Sequence, residues 1–147
     1  MIVVLVALAV GLVASAPVSA QTSATYEVRG DEIPNALAGR PGDPTNGAKL
    51  MADRHRSLCI LCHAGPFSAP HTQGDIAPSL AGVGARLSAG QIRLRVANIK
   101  ALNPESLMPA YLKVADRPDI AEAWRGKSIL SPAEIEDIVA YLVTLKE

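Results

Sequence analysis

Aromatic residues are scarce: one Phe, one Trp and three Tyr make up 3% of the 147 residues. That is thin for an ordinary core of this size, and an apolar group bound in the interior would account for it. Net charge is also missing. Lys and Arg together number 14, as do Asp and Glu, so nothing in the balance suggests a nucleic-acid partner. Cysteine occurs only twice, both times within residues 59–62. Beyond the first 20 residues no segment is apolar for long enough to cross a membrane, which takes roughly 20 residues. Nor does any run alternate apolar and polar residues as a half-buried strand does. What remains is one mostly helical domain with long loops and no internal repeat.

The chain opens with an uncharged apolar run of about 16 residues, followed by small residues ending Val18-Ser19-Ala20 before Gln21. This pattern predicts a secretory signal peptide over residues 1–20, cut after Ala20. No Lys or Arg follows Met1, so the basic start of such a peptide is missing. An uncleaved anchor is the competing reading, but the run is short of a bilayer span. Export places the mature chain in an oxidising compartment such as the bacterial periplasm.

Residues 21–45 carry Pro34, Pro41, Pro44 and three Gly among polar residues, and read as an irregular N-terminal extension. A domain is expected over 46–147. Its first helix is predicted from near Asn46, with Leu50, Met51 and Leu58 buried, running directly into the cysteines. Residues 64–85, rich in Gly, Pro and Ala, read as a long loop that something must organise. Two helices carry start signals. Ser88 to Gln91 and Ser131 to Glu134 have capping-box spacing, and Pro132 takes the first helical position, where its missing N–H costs nothing. Ile92, Val96 and Ile99 form one apolar stripe, and Ile135, Ile138, Val139 and Leu142 another at i, i+3, i+4 and i+7.

Residues 59–63 read Cys-Ile-Leu-Cys-His. At this spacing two thiols reach the two vinyl groups of one haem, and the adjacent imidazole falls under the iron. Cys59 and Cys62 are therefore expected to form the thioethers of one covalent haem c, with His63 as proximal iron ligand. Three other readings stand beside this one: a Cys59–Cys62 disulfide, a zinc site recruiting His55 or His71, and two unreactive thiols. The first wants a strand–helix context that the flanks lack, and exported thiols are rarely kept for zinc. A sixth ligand should lie downstream. Of three methionines, Met1 leaves with the signal peptide and Met51 precedes the motif. Met108, stiffened by Pro109, is the candidate distal ligand, a soft thioether that raises the reduction potential. Core packing is the competing role for Met108, and His71 is the rival ligand. The ring N–H of a ligating His normally donates to a fixed acceptor, here expected to be the backbone carbonyl of Pro78. Arg54, Arg56, Arg86, Arg93 and Arg95 either form a solvated face or rim a haem edge or partner surface. Residues 113–130, with Trp124, are expected to pack on the haem or on a partner.

Taken in order, Cys59-x-x-Cys-His63, Pro78-x-Leu80-x-Gly82 and Met108-Pro-x-Tyr111 resemble the class I cytochromes c, an all-α fold of helices and long loops around one haem. A closer resemblance is to the SoxX subunits, the small cytochromes of the SoxAX complexes of bacterial thiosulfate oxidation. It covers about residues 42–146 and rests on Gly47, Ala-Asp-Arg54, the Gly-Pro-Phe67 that follows the motif, Gly-Asp-Ile-Ala-Pro-Ser-Leu80, Arg-Leu-Ser88, Leu-Asn-Pro104, Met-Pro-Ala-Tyr111 and Ile-Leu-Ser-Pro-Ala-Glu-Ile-Glu-Asp137. The resemblance implies a heterodimer with a SoxA-type cytochrome that carries cysteine persulfide chemistry. Such a pair acts as an L-cysteine S-thiosulfotransferase, oxidatively coupling thiosulfate to a cysteine of a SoxYZ carrier and passing electrons to another cytochrome. With both cysteines consumed by thioethers, this chain keeps no thiol for sulfur chemistry. A stand-alone periplasmic shuttle serving an oxidase or reductase is the alternative.

Overall fold

The structure, a computed structural model, describes residues 25–68, 70–113 and 120–147. The segment read as a signal peptide, including the cut after Ala20, lies outside the described residues. Among the described residues four α-helices carry the fold: α1 (Pro44–Ala52), α2 (Val83–Arg86), α3 (Ala89–Asn98) and α4 (Pro132–Thr144). Short 3₁₀ turns punctuate the loops, and no strand forms among the described residues.

Both capping boxes are present. The Ser88 and Ser131 hydroxyls accept the amides of Gln91 and Glu134, whose side chains reach back to the cap amides. The α4 stripe of Ile135, Ile138, Val139 and Leu142 is fully buried, each side chain contributing roughly 1.5–3 kcal/mol through burial. Helix α4 is the centre of the fold, packed against α1, α2 and α3. At the α1–α4 crossing the backbones approach so closely that a Cβ on Gly47 would lie 1.9 Å from the Asp137 carbonyl oxygen. Only glycine fits there. Asp137 also accepts the Asp43 amide at 2.7 Å and the Asn46 side-chain amide at 2.7 Å, fixing the start of α1 to α4.

Several local expectations need correction. Helix α1 starts at Pro44, capped by Asp43, rather than near Asn46, and it stops at Ala52 instead of running into the cysteines. It stops because the Asp53 carboxylate takes the amides of His55 and Arg56, at 2.7 and 3.0 Å, and turns the chain. Within α1, Met51 is buried as expected and Leu50 is half-buried, but Leu58, beyond the turn, is exposed. The loop read over 64–85 ends early, because α2 begins at Val83.

The irregular N-terminal stretch is stitched into the domain. Ile33 is buried, and its amide donates to the Gly90 carbonyl at 3.1 Å. The Leu37 amide donates to Glu136 at 2.9 Å. Arg93 is no surface cation. It is buried and paired with Glu136 through two bonds of 2.7 and 3.0 Å, and a third bond of 2.7 Å reaches the Ile33 carbonyl. The other arginines also work structurally: Arg54 bonds the Thr72 carbonyl, Arg56 pairs with Glu134, Arg86 bonds Ala81 and Ser79, and Arg95 pairs with Asp31. Within 113–130, residues 114–119 lie outside the described residues. Trp124 stands on the 3₁₀ turn Glu122–Trp124 with half its surface exposed, away from the core.

Candidate functional site

The motif begins on a strained residue. Leu58 has φ +63°, a left-handed conformation that costs a non-glycine residue roughly 1–2 kcal/mol. Its amide is held by the Asp53 carbonyl at 3.1 Å, and its carbonyl by the Leu61 amide at 3.0 Å. This reversal directs the chain into a single 3₁₀ turn, Cys59–Leu61, which the Cys62 and His63 amides close onto the Cys59 carbonyl at 3.2 and 3.0 Å. Both cysteines and the histidine therefore sit on one tight turn. Cys59 is buried and Cys62 half-buried, and both are free thiols. Burial pushes the Cys59 thiol up.

The loop that follows is organised by running parallel to the motif. Gly74 donates to the Ile60 carbonyl at 2.8 Å, Ala77 to Cys62 at 3.0 Å and Leu80 to Ala64 at 2.8 Å. A Cβ on Gly74 would lie 2.0 Å from the Leu61 carbonyl oxygen, so the approach requires glycine. This pairing sets the Pro78 carbonyl 2.7 Å from His63 Nδ1. A carbonyl can only accept, so Nδ1 carries a proton, and in the neutral ring Nε2 is the nitrogen that keeps a lone pair. The imidazole is thus presented as a ligand with one free nitrogen.

Met108 lies on the loop after α3, half-buried and, like Leu80, packed against the hydrophobic core that includes Cys59. Its amide donates to Ser106 Oγ at 3.2 Å, and the Lys100 ammonium holds the Ser106 carbonyl. His71 is exposed on the 3₁₀ turn Pro70–Thr72, and His55 is exposed beyond α1. Among the described residues no group of three or more His, Cys, Asp or Glu is placed to hold a metal ion, which leaves the zinc reading without a ligand set.

Tyr111, which closes the Met-Pro-Ala-Tyr segment, has a structural role of its own. It is buried, and its hydroxyl donates to the Ser57 carbonyl at 2.6 Å. Burial, first, and then the neighbouring Cys59 keep this phenol protonated far above its usual range. No local sequence signal marks Ser57 as its partner.

A haem attached through thioethers fits these residues. The thiols are free and share one turn, the proximal imidazole has a single unengaged nitrogen, and a thioether lies on a loop packed into the same cluster. Large apolar side chains are also left facing outward on these same loops, Ile76 at 75% and Leu107 at 94% exposure.

Comparison with known proteins follows the same line. The family model for cytochrome c matches residues 44–146. A search of curated proteins returns no match. Among solved structures, the chain is similar to the crystal structure of SoxXA from P. pantotrophus, with a TM-score of 0.71 and 36% identity over 80% of this chain and 91% of that one.

Proposed function

Because the chain belongs to the cytochrome c family, we propose that it is the monohaem electron-transfer subunit of a SoxAX-type complex, with Cys59 and Cys62 as the haem thioethers, His63 as proximal ligand and Met108 as distal ligand. It has the all-α class I cytochrome c fold and carries one covalent haem c. The observation that carries the site assignment is the single turn holding both thiols and His63, with Nδ1 on the Pro78 carbonyl. The likeness to SoxXA supports the partner.

When bound, the haem iron supplies reversible one-electron chemistry. The chain's own residues do the rest. Cys59 and Cys62 fix the ring's position, and Pro78 holds the His63 tautomer and strengthens its donor nitrogen. Met108 provides a soft sulfur that favours the reduced state. With His63 and Met108 both holding the haem, the chain would offer a substrate no open site, and with both thiols consumed none would be left to hold sulfur. Sulfur–sulfur bond formation on a SoxYZ-type carrier cysteine therefore falls to a SoxA-type partner, and this subunit passes the released electrons to an acceptor cytochrome. Export to the periplasm, by way of the leader read over residues 1–20, completes the proposal. Among the described residues no helix is long and apolar enough to cross a membrane.

Copurification tests this reading. A stable complex with a larger cytochrome, whose haem is reduced by thiosulfate only in the presence of the carrier, is the expected result. A monomer whose reduction is indifferent to that partner would establish the stand-alone shuttle instead.

A further inference from the structure

We infer that Tyr111 is a positioning residue: its buried hydroxyl ties the loop presenting Met108 to the turn presenting Cys59, and so holds the methionine sulfur in place. The inference rests on the reading of Met108 as distal ligand.

Tyr111 follows Met108 by three residues, and Pro109 between them restricts the backbone. The tyrosine backbone is anchored on both sides. Its amide donates to the Val96 carbonyl at 3.3 Å, its carbonyl accepts from Leu130 at 3.0 Å, and the next amide, Leu112, donates to Ala97 at 3.0 Å. These bonds fasten it to α3 and to the strip leading into α4. Its ring then crosses to the motif, where the hydroxyl donates to the Ser57 carbonyl at 2.6 Å.

Ser57 is fully buried, and its own hydroxyl donates to the Leu50 carbonyl in the last turn of α1. It immediately precedes Leu58, whose left-handed turn places Cys59. One continuous path thus runs from α1 through Ser57 and Tyr111 to α3, with the thioether cysteine on one side and Met108 on the other. The bond lies in the core, where water cannot replace it when it breaks. If Tyr111 served only to fill space, a phenyl ring would do as well.

The test uses the oxidised holoprotein and imidazole, which binds the iron only when the methionine sulfur has left. Tyr111→Phe keeps the ring and removes the hydroxyl. Loss of one buried hydrogen bond raises the population with the sulfur displaced about tenfold, so imidazole affinity should rise by the same factor. Ser57→Ala, which cuts the anchor to Leu50 while leaving the carbonyl, should shift affinity in the same direction. Ile138→Val, a core change away from this path, controls for general destabilisation. Wild-type affinity in both Y111F and S57A overturns the inference, as does an equal rise in I138V. Wild-type protein lacking the weak red absorption band that ferric haem shows with a bound thioether would overturn the Met108 assignment and this inference with it. The band in wild type with unchanged affinity in both Y111F and S57A would overturn this inference alone.

Discussion

Replacing Arg93 by Met should destabilise the holoprotein by about 3–5 kcal/mol, because Glu136 would be left buried without its cation. The magnitude follows from the geometry. The two side chains are 8% and 3% exposed, and the carboxylate takes two guanidinium bonds and the Leu37 amide. After the substitution only the Leu37 amide would remain to it. Glu136→Leu alone should likewise lower stability, since Arg93 would keep only the Ile33 carbonyl. The double variant R93M/E136L removes both charges. Its remaining losses are an unpaired Leu37 amide and Ile33 carbonyl, about 1–3 kcal/mol each at most, partly offset by new apolar burial. The double variant should therefore be more stable than R93M. Urea unfolding of the oxidised protein, followed by haem absorbance, gives all four free energies. Additive single effects would refute the reasoning, because additivity would mean that Glu136 does not depend on Arg93.

Gly47→Ala should lower stability by about 1–3 kcal/mol, as expected when two packed backbones are forced apart; thermal unfolding checks it, and an unchanged midpoint would mean the helices can separate freely. Burial pushes the Glu134 carboxyl up, but its bonds from Arg56 and Ser131 outweigh this and hold it below the ordinary 4.5. A depressed folded value adds stability above pH 4.5 that is lost as pH falls through the folded value, so Arg56→Gln should flatten the acid limb of the stability–pH curve, and a curve parallel to wild type would count against the pair. Met108→Ala should lower the reduction potential and open the iron to exogenous imidazole. Voltammetry and titration read the two effects, and a wild-type potential would point to His71 or another ligand.

Local chemistry was legible in the sequence and distant chemistry was not. The caps at Ser88 and Ser131 and the α4 stripe depend on residues within two turns of one another, so their spacing alone reveals them. The five-residue motif is legible for the same reason: both thiols and the imidazole lie on one turn. The end of α1 was missed because Asp53 stops it through a side-chain bond that competes with an otherwise helical pattern. Arg93 read as one of several surface cations because its partner is 43 residues away. The Tyr111–Ser57 bond spans 54 residues, and no periodicity announces it. The N-terminal stretch read as an irregular extension because its anchors, Ile33 and the Leu37 amide, make their contacts with the distant α3 and α4.

The α1–α4 crossing at Gly47 also has a consequence in time. The Asn46–Asp137 bond beside it joins residues 91 apart in sequence, and closing a flexible loop of that length costs about 4 kcal/mol of chain entropy. Contacts so distant raise the contact order of the fold and slow its folding. The cysteine turn lies inside that loop. Its thiols, one buried and one half-buried once the domain is complete, are reachable while the loop is still open. The absent methyl at residue 47 thus permits the contact that closes the domain around the cysteine turn.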